Sequence, residues 1–400
     1  MKRFRKIIAL IILLPFVIGC DSFFGDKTDI SFIEIPTYSA RQIAYVPIQP
    51  SITNLERPID IIVGFDELLY VVDEAKEAII CYDEALNELG RLTINGVTAV
   101  AQDRKMDLLA IGKKDTVINN VPYSLSTIYR IRLAGNSGYG LNYAEVINEV
   151  THPFYFKNSF STSDAQVTFN DIGIIGNSTN ANINNTYYVS RTGPSANNAG
   201  QGPDDAVVLF SNTDNYVSPV AVNTSSGLYN NYFKKPFGLT SLTQPPQISA
   251  ENSPDFIFTS IDPGTPLKAQ YIQFVESDFG AEFNAVIFGP DPIADDWLNA
   301  PNKFTQPMGI TIAGDQTRYI FITDAQKDSV YQFTSNGLEG VPPPPASGET
   351  RYQVASFGGH GSGPLQFNEP RGIAYFNQIL YVCDAGNHRV SRFKLTLDFD

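Results

Sequence analysis

From residue 58 to the C-terminus the chain is built of short apolar or alternating runs, separated by clusters of Gly, Pro, Asn and Asp. Runs of this kind, rich in Val, Ile, Tyr and Phe, read as β-strands, and stripes with a helical period are nearly absent. The runs recur in register. Pro307-Met308-Gly309-Ile310 leads to Phe321-Ile322-Thr323-Asp324 and then to Val330-Tyr331-Gln332-Phe333. Pro370-Arg371-Gly372-Ile373 leads to a run from Ile379 to Cys383 and closes on Phe393. A third copy reads Pro58-Ile59-Asp60-Ile61, Tyr70-Val71-Val72-Asp73 and Ile79-Ile80-Cys81-Tyr82. In these copies an Asp and an aromatic stand nine positions apart, at 73 and 82, 324 and 333, 384 and 393. A weaker copy starts at Pro236-Phe237-Gly238-Leu239, and two stretches, Val97 to Val150 and Thr168 to Val222, keep the strand rhythm without the motif.

A four-stranded unit cannot bury both of its faces alone, so repeated units stack around an axis and bury them against their neighbours. The repeat therefore predicts an all-β propeller. Four recognisable units and two divergent ones give six blades, with seven as the alternative if the long middle section hides another. The last unit shows only three strands before the chain stops at Asp400. One of two N-terminal runs, Ser31 to Ile35 or Gln42 to Val46, is expected to supply the fourth and so remove the open edge.

Phe357 to Phe393 holds a Gly-rich lead-in (Gly358 to Gly363), Pro370 before Gly372, and Asp384-Ala385-Gly386-Asn387-His388-Arg389-Val390. This segment resembles the NHL repeat family. The resemblance implies an NHL-type propeller. It also implies two functional precedents: RNA binding in some animal relatives, and a channel-bound metal in amidating lyases and lactonase-like hydrolases. The residues themselves read as structure. The turn Asp is expected to accept backbone N–H groups inside its hairpin, the aromatic nine residues later to pack between blades, and the Gly-rich run to be a turn between blades, since no helix follows it.

The N-terminus adds an address. Lys2, Arg3, Arg5 and Lys6 precede an apolar run from Ile7 to Ile18, too short for a stable membrane span, and Gly19-Cys20 follows. Residues 1–19 read as a signal peptide. The site resembles the bacterial lipobox, which implies a lipoprotein acylated (palmitate) on Cys20, tethered through residues 20–29 to a propeller over 30–400 and held at the inner or outer membrane of the cell envelope. Removing residues 1–19 takes away four basic residues and no acidic ones, so the formal charge moves from −14 to −18. So acidic a body repels nucleic acid, which excludes the RNA-binding precedent. Cys81 and Cys383 fall in the first and last units but on different strands of the register, so no disulfide is expected.

Chemistry is sparse. A zinc site would need His152, His360 and His388, all the histidines there are. Oxygen ligands are the better candidate: Asp60 replaces the glycine of the other units, and Asn170 and Asp171 stand in the matching strand of the third, so the three could converge on calcium in the channel. No nucleophile motif is present. Trp297, Tyr229, Tyr232 and Phe233 lie near loops that suit a sugar or peptide. The expected function is a non-enzymatic binding or scaffold module for a protein or polysaccharide partner at the envelope. The alternative is a metal-assisted lyase or hydrolase.

Overall fold

The computed structural model describes residues 43–194, 205–229, 231–246, 253–277, 280–344 and 347–398. The expected signal peptide, Cys20, the 20–29 tether and the Ser31 to Ile35 run lie outside them. Six sheets form a ring, each beginning at the axis with one inner strand and antiparallel throughout its four blade strands. Blade 1 holds Pro58–Val63, Leu69–Asp73, Ala78–Tyr82 and Glu88–Thr93. Blade 2 holds Ala99–Gln102, Leu108–Ile118, Val121–Arg132 and Glu145–Thr151, and blade 3 holds Thr168–Ile175, Thr186–Thr192, Ala206–Phe210 and Tyr216–Pro219. Blade 4 runs Pro236–Ser241, Phe256–Ser260, Ala269–Ser277, Gly280–Val286, and its sheet is extended to six strands by the hairpin Val222–Thr224 and Gly227–Tyr229. Blade 5 is Pro307–Ile312, Ile320–Asp324, Ser329–Phe333 and Phe357–Gly358.

Blade 6 contributes Pro370–Phe376, Ile379–Asp384 and Arg389–Leu395, and its fourth strand is Tyr45–Ile52 from the other end of the chain, paired Tyr45 to Leu395 and Val46 to Lys394. The ring is six-bladed, not seven, and closed by an N-terminal strand. That strand starts three residues later than the Gln42 to Val46 run and extends to Ile52. Among the described residues no helix is long and apolar enough to cross a membrane.

The runs are apolar without alternation because both faces of each blade are buried. In blade 1, Tyr70 and Val72 face blade 2, packing with Val100, Leu108 and Ala110. Leu69 and Val71 face blade 6, packing with Ala374, Phe376 and Tyr381. One apolar cluster of this type fills each of the six interfaces. The closing aromatics Tyr82, Phe333 and Phe393 sit in these clusters, as the register predicted.

The turn Asp does more than expected. Asp73 accepts the amides of Glu56 (2.8 Å) and Arg57 (2.9 Å), and Asp324 those of Thr305 (2.6 Å) and Gln306 (3.1 Å). The carboxylate thus reaches past its own hairpin and ties down the segment leading into the inner strand of the same blade. The repeat residues Asn387 and Arg389 act likewise, donating to the carbonyls of Gly361 (2.8 Å) and Ser362 (3.0 Å) and so holding the Gly-rich turn between blades 5 and 6. Cys81 and Cys383 are buried free thiols.

Candidate functional site

The inner strands enclose a central cavity of about 430 Å³ lined by all six blades. Its walls follow from how closely the strands approach. A Cβ on Gly309 would stand 2.1 Å from the Arg371 carbonyl, one on Gly372 2.5 Å from Asp60 Cα, and one on Gly238 2.5 Å from the Met308 carbonyl. Blades 4 to 5, 5 to 6 and 6 to 1 therefore meet backbone to backbone, and only glycine fits.

Asp60 and Asp171 take the glycine place in blades 1 and 3, and there the side chain spans the gap. Asp60 Oδ1 accepts its own strand's Ile61 amide (2.9 Å) and Oδ2 accepts Val100 of blade 2 (2.8 Å). Asp171 repeats the arrangement with Ile172 (2.7 Å) and, in blade 4, Leu239 (2.7 Å). Burial raises the Asp60 carboxyl to about 6. It raises Asp171 well above the usual carboxylate range, with a further push from the charge on Asp60. Two half-buried like charges around one channel are costly when both ionise.

Asn170 lines the same cavity, but its amide is committed to the Pro236 carbonyl (2.8 Å) and to Thr192, while its oxygen accepts from Thr168 (3.2 Å). The three sequence candidates thus share one cavity, two as interblade bridges and one braced against blade 4. Among the described residues no three His, Cys, Asp or Glu side chains group at metal-binding distance.

The histidines are dispersed. His360 contacts Asp328 (2.9 Å) and His388 contacts the Glu56 carbonyl. His152 is wholly buried, with Nε2 3.2 Å from Asp164 Oδ1 and its ring among Tyr155, Phe156 and Phe169. Of the loop aromatics, Phe233 is core, Trp297 and Tyr232 are half-buried, and Tyr229 is exposed.

Two features escaped the sequence reading. One is a buried cluster between blades 2 and 3, where Arg130 pairs with Asp103 (2.6 Å) and Asp214 (2.8 Å), Asp214 also accepting from Asn148 and Tyr187. The other is a hairpin. In blade 2 the second and third strands run on after the inner strand stops at Ala99↔Ile111 and the outer at Thr151↔Thr127. The flanking segments still hold the next pair, Lys113 donating to the Asn95 carbonyl (2.8 Å) and Ser126 accepting from the His152 amide (3.0 Å). Beyond it five pairs, Lys114↔Leu125 to Ile118↔Val121, continue past both neighbours, about 16 Å at ~3.3 Å per residue.

Asn119 and Asn120, both with positive φ (53° and 65°), make the turn. Turns between second and third strands lie where the inner strands begin, as the Asp73 bonds to Glu56 and Arg57 show. The hairpin therefore rises at that mouth of the channel, with Lys113 at its base lining the cavity. Tyr123 rests on Phe160 (ring centroids 4.6 Å apart), and the tip bears Val117, 68% exposed, and Val121, 46% exposed.

The architecture is that of a six-bladed β-propeller. Comparison with known families matches the NHL repeat at residues 367–393, so the chain is a propeller that carries an NHL repeat, as the motif residues implied. No curated protein matches the chain. Among solved structures, similarity extends to an auxiliary nutrient binding protein from Bacteroides ovatus (13% identity, 88% of this chain and 72% of that one, TM-score 0.47). A virginiamycin B lyase from Staphylococcus aureus is also similar (13%, 88% and 99%, TM-score 0.43). Likeness at this level is shared by a binding protein and a lyase and decides for neither.

Proposed function

We propose that this protein is a non-enzymatic binding module of the bacterial cell envelope, anchored through a lipid on Cys20, that receives a protein or polysaccharide partner at the hairpin end of the ring. The observation that carries the reading is the blade 2 hairpin, which projects about 16 Å beside the channel mouth and ends in the exposed Val117 and Val121, on a ring whose blades meet in buried interfaces. An exposed apolar tip on a buttressed element is what an interaction surface requires. The chain enters the ring at the opposite end, since Tyr45 pairs with Leu395 at the far end of its strand. The anchor is tested by fractionation: Cys20→Ser should move the protein from the membrane to the soluble fraction, and membrane retention of that variant rejects the lipid. The partner is tested by affinity capture on envelope polysaccharide and on envelope proteins, and retention of neither, repeated with the hairpin intact, rejects the module.

The second reading, a metal-assisted lyase or hydrolase, is favoured by one observation, the presence of Asp60 and Asp171 in a single cavity. Calcium takes six to eight oxygens, so water or substrate would complete a shell begun by these carboxylates. A calcium-dependent rise in melting temperature, lost in Asp60→Ala, supports this reading, and no shift counts against it.

A further inference from the structure

The channel carries features that binding at the hairpin does not use. Asp60 and Asp171 depart from the repeat, standing where blades 4, 5 and 6 have Gly238, Gly309 and Gly372. Each of their four oxygens accepts one backbone N–H, and a carboxylate oxygen has room for a second donor. Independently of the pair, Thr311 lines the same cavity, is 6% exposed, and its hydroxyl has no hydrogen-bond partner among the described residues. The rest of the wall is mixed: Ile61, Phe169, Ile172 and Ile310 give it an apolar part, and Lys113 and Arg371 also line it.

We infer that the channel is a binding site for a small organic cation, its ammonium group held by Asp60 and Asp171 with Thr311 as a further acceptor and its hydrocarbon part against the apolar wall. The chemistry selects this class over a metal ion. A hard divalent cation asks for six to eight oxygens, whereas an ammonium group presents three N–H donors, a number that two carboxylates and a hydroxyl can meet. The cavity of about 430 Å³ is also far larger than an ion and lies within the range of about 300–1,000 Å³ typical of small-molecule sites. The electrostatics agree: burial holds both carboxyls above their ordinary range, and a cation between them relieves the repulsion that ionising both creates.

The test is calorimetric titration of the purified full-length protein with n-butylammonium and with putrescine, and separately with calcium chloride. Saturable amine binding is expected, weakened at least about tenfold, or ~1.4 kcal/mol, by Asp60→Asn and by Asp171→Asn, and weakened also by Thr311→Val. Should the Asp variants not fold, the wild-type pH profile decides, because amine affinity must rise between about pH 5 and pH 7.5 as the Asp60 carboxyl ionises. Binding of calcium with no binding of either amine overturns the inference. So does amine binding that is flat with pH, or unchanged in the folded variants. Loss of partner capture at the hairpin would leave it untouched.

Discussion

His152 offers the sharpest physical test of the fold. Its imidazole is 0% exposed, caged by Tyr155, Phe156 and Phe169, and only Nε2 has a partner, Asp164 Oδ1 at 3.2 Å, while Nδ1 has none. Burial works to raise the Asp164 carboxyl, but the Ser161 amide (2.7 Å) and Lys157 (3.0 Å) outweigh it and hold Asp164 below its ordinary range. Nε2 therefore carries the proton and Nδ1 is a bare acceptor. Protonating Nδ1 would place a cation in an apolar cage facing Arg191 and Lys157. Burial first, and Arg191 second, push His152 down to about 3.

An unfolded histidine takes up a proton below about pH 6.5, which the folded one refuses. Its stabilising contribution is therefore complete above that pH and is lost as pH falls toward 3. By linkage the loss reaches about 2 kcal/mol at pH ~5. The assay is a ¹H–¹³C titration of the three histidines, with the His152 signal identified by its absence in His152→Gln, together with urea midpoints of both proteins. The His152 signal should stay flat down to about pH 4, and the stability advantage of the wild type over the variant should shrink by about 2 kcal/mol between pH ~7 and ~5. A midpoint near that of a free imidazole, or a pH-independent advantage, refutes the reasoning.

Gly309→Ala forces a Cβ to 2.1 Å from the Arg371 carbonyl, backbone that cannot rotate away, and should cost about 2–3 kcal/mol in urea unfolding. An exposed-glycine control, Gly227→Ser, has open space at its Cβ position but a φ of 99°, so any cost there comes from the backbone alone. Arg130→Met strands Asp103 and Asp214 without their cation in a buried interface, and a loss of about 3–5 kcal/mol is expected, read from the same denaturation curves. A loss below about 1 kcal/mol, the range of exposed pairs, would mean the cluster is hydrated.

The ring was legible because its strictest positions are local. Pro-x-Gly at the start of an inner strand and the Asp-to-aromatic spacing of nine mark backbone approach and interblade packing, and both recur wherever the geometry does. Asp60, the departure from the glycine pattern, lines the channel. What stayed hidden depends on pairs far apart in sequence. Arg130 lies 84 residues from Asp214, and nothing near either one signals the other. The hairpin left a trace, the Asn119-Asn120 turn flanked by Val117-Ile118 and Val121, but its length is set by where blade 2's inner and outer strands stop, which strand patterning does not reveal. The divergent middle units became blades 2 and 3, since burial on both faces asks only for apolar strands, not for the motif.

Whether the hairpin end is the binding face is decided most directly by trimming it. Residues 116–123 are replaced by an Asn-Gly turn joining Asp115 to Ser124, which keeps Lys113, the buried Leu125, and Ser126 with its bonds to His152 and Phe169. Binding of the trimmed and intact proteins to envelope polysaccharide and envelope proteins is then compared at equal near-ultraviolet circular dichroism. A loss of at least about tenfold in affinity, ~1.4 kcal/mol, is predicted for the trimmed ring. Undiminished binding by a correctly folded trimmed ring would contradict it.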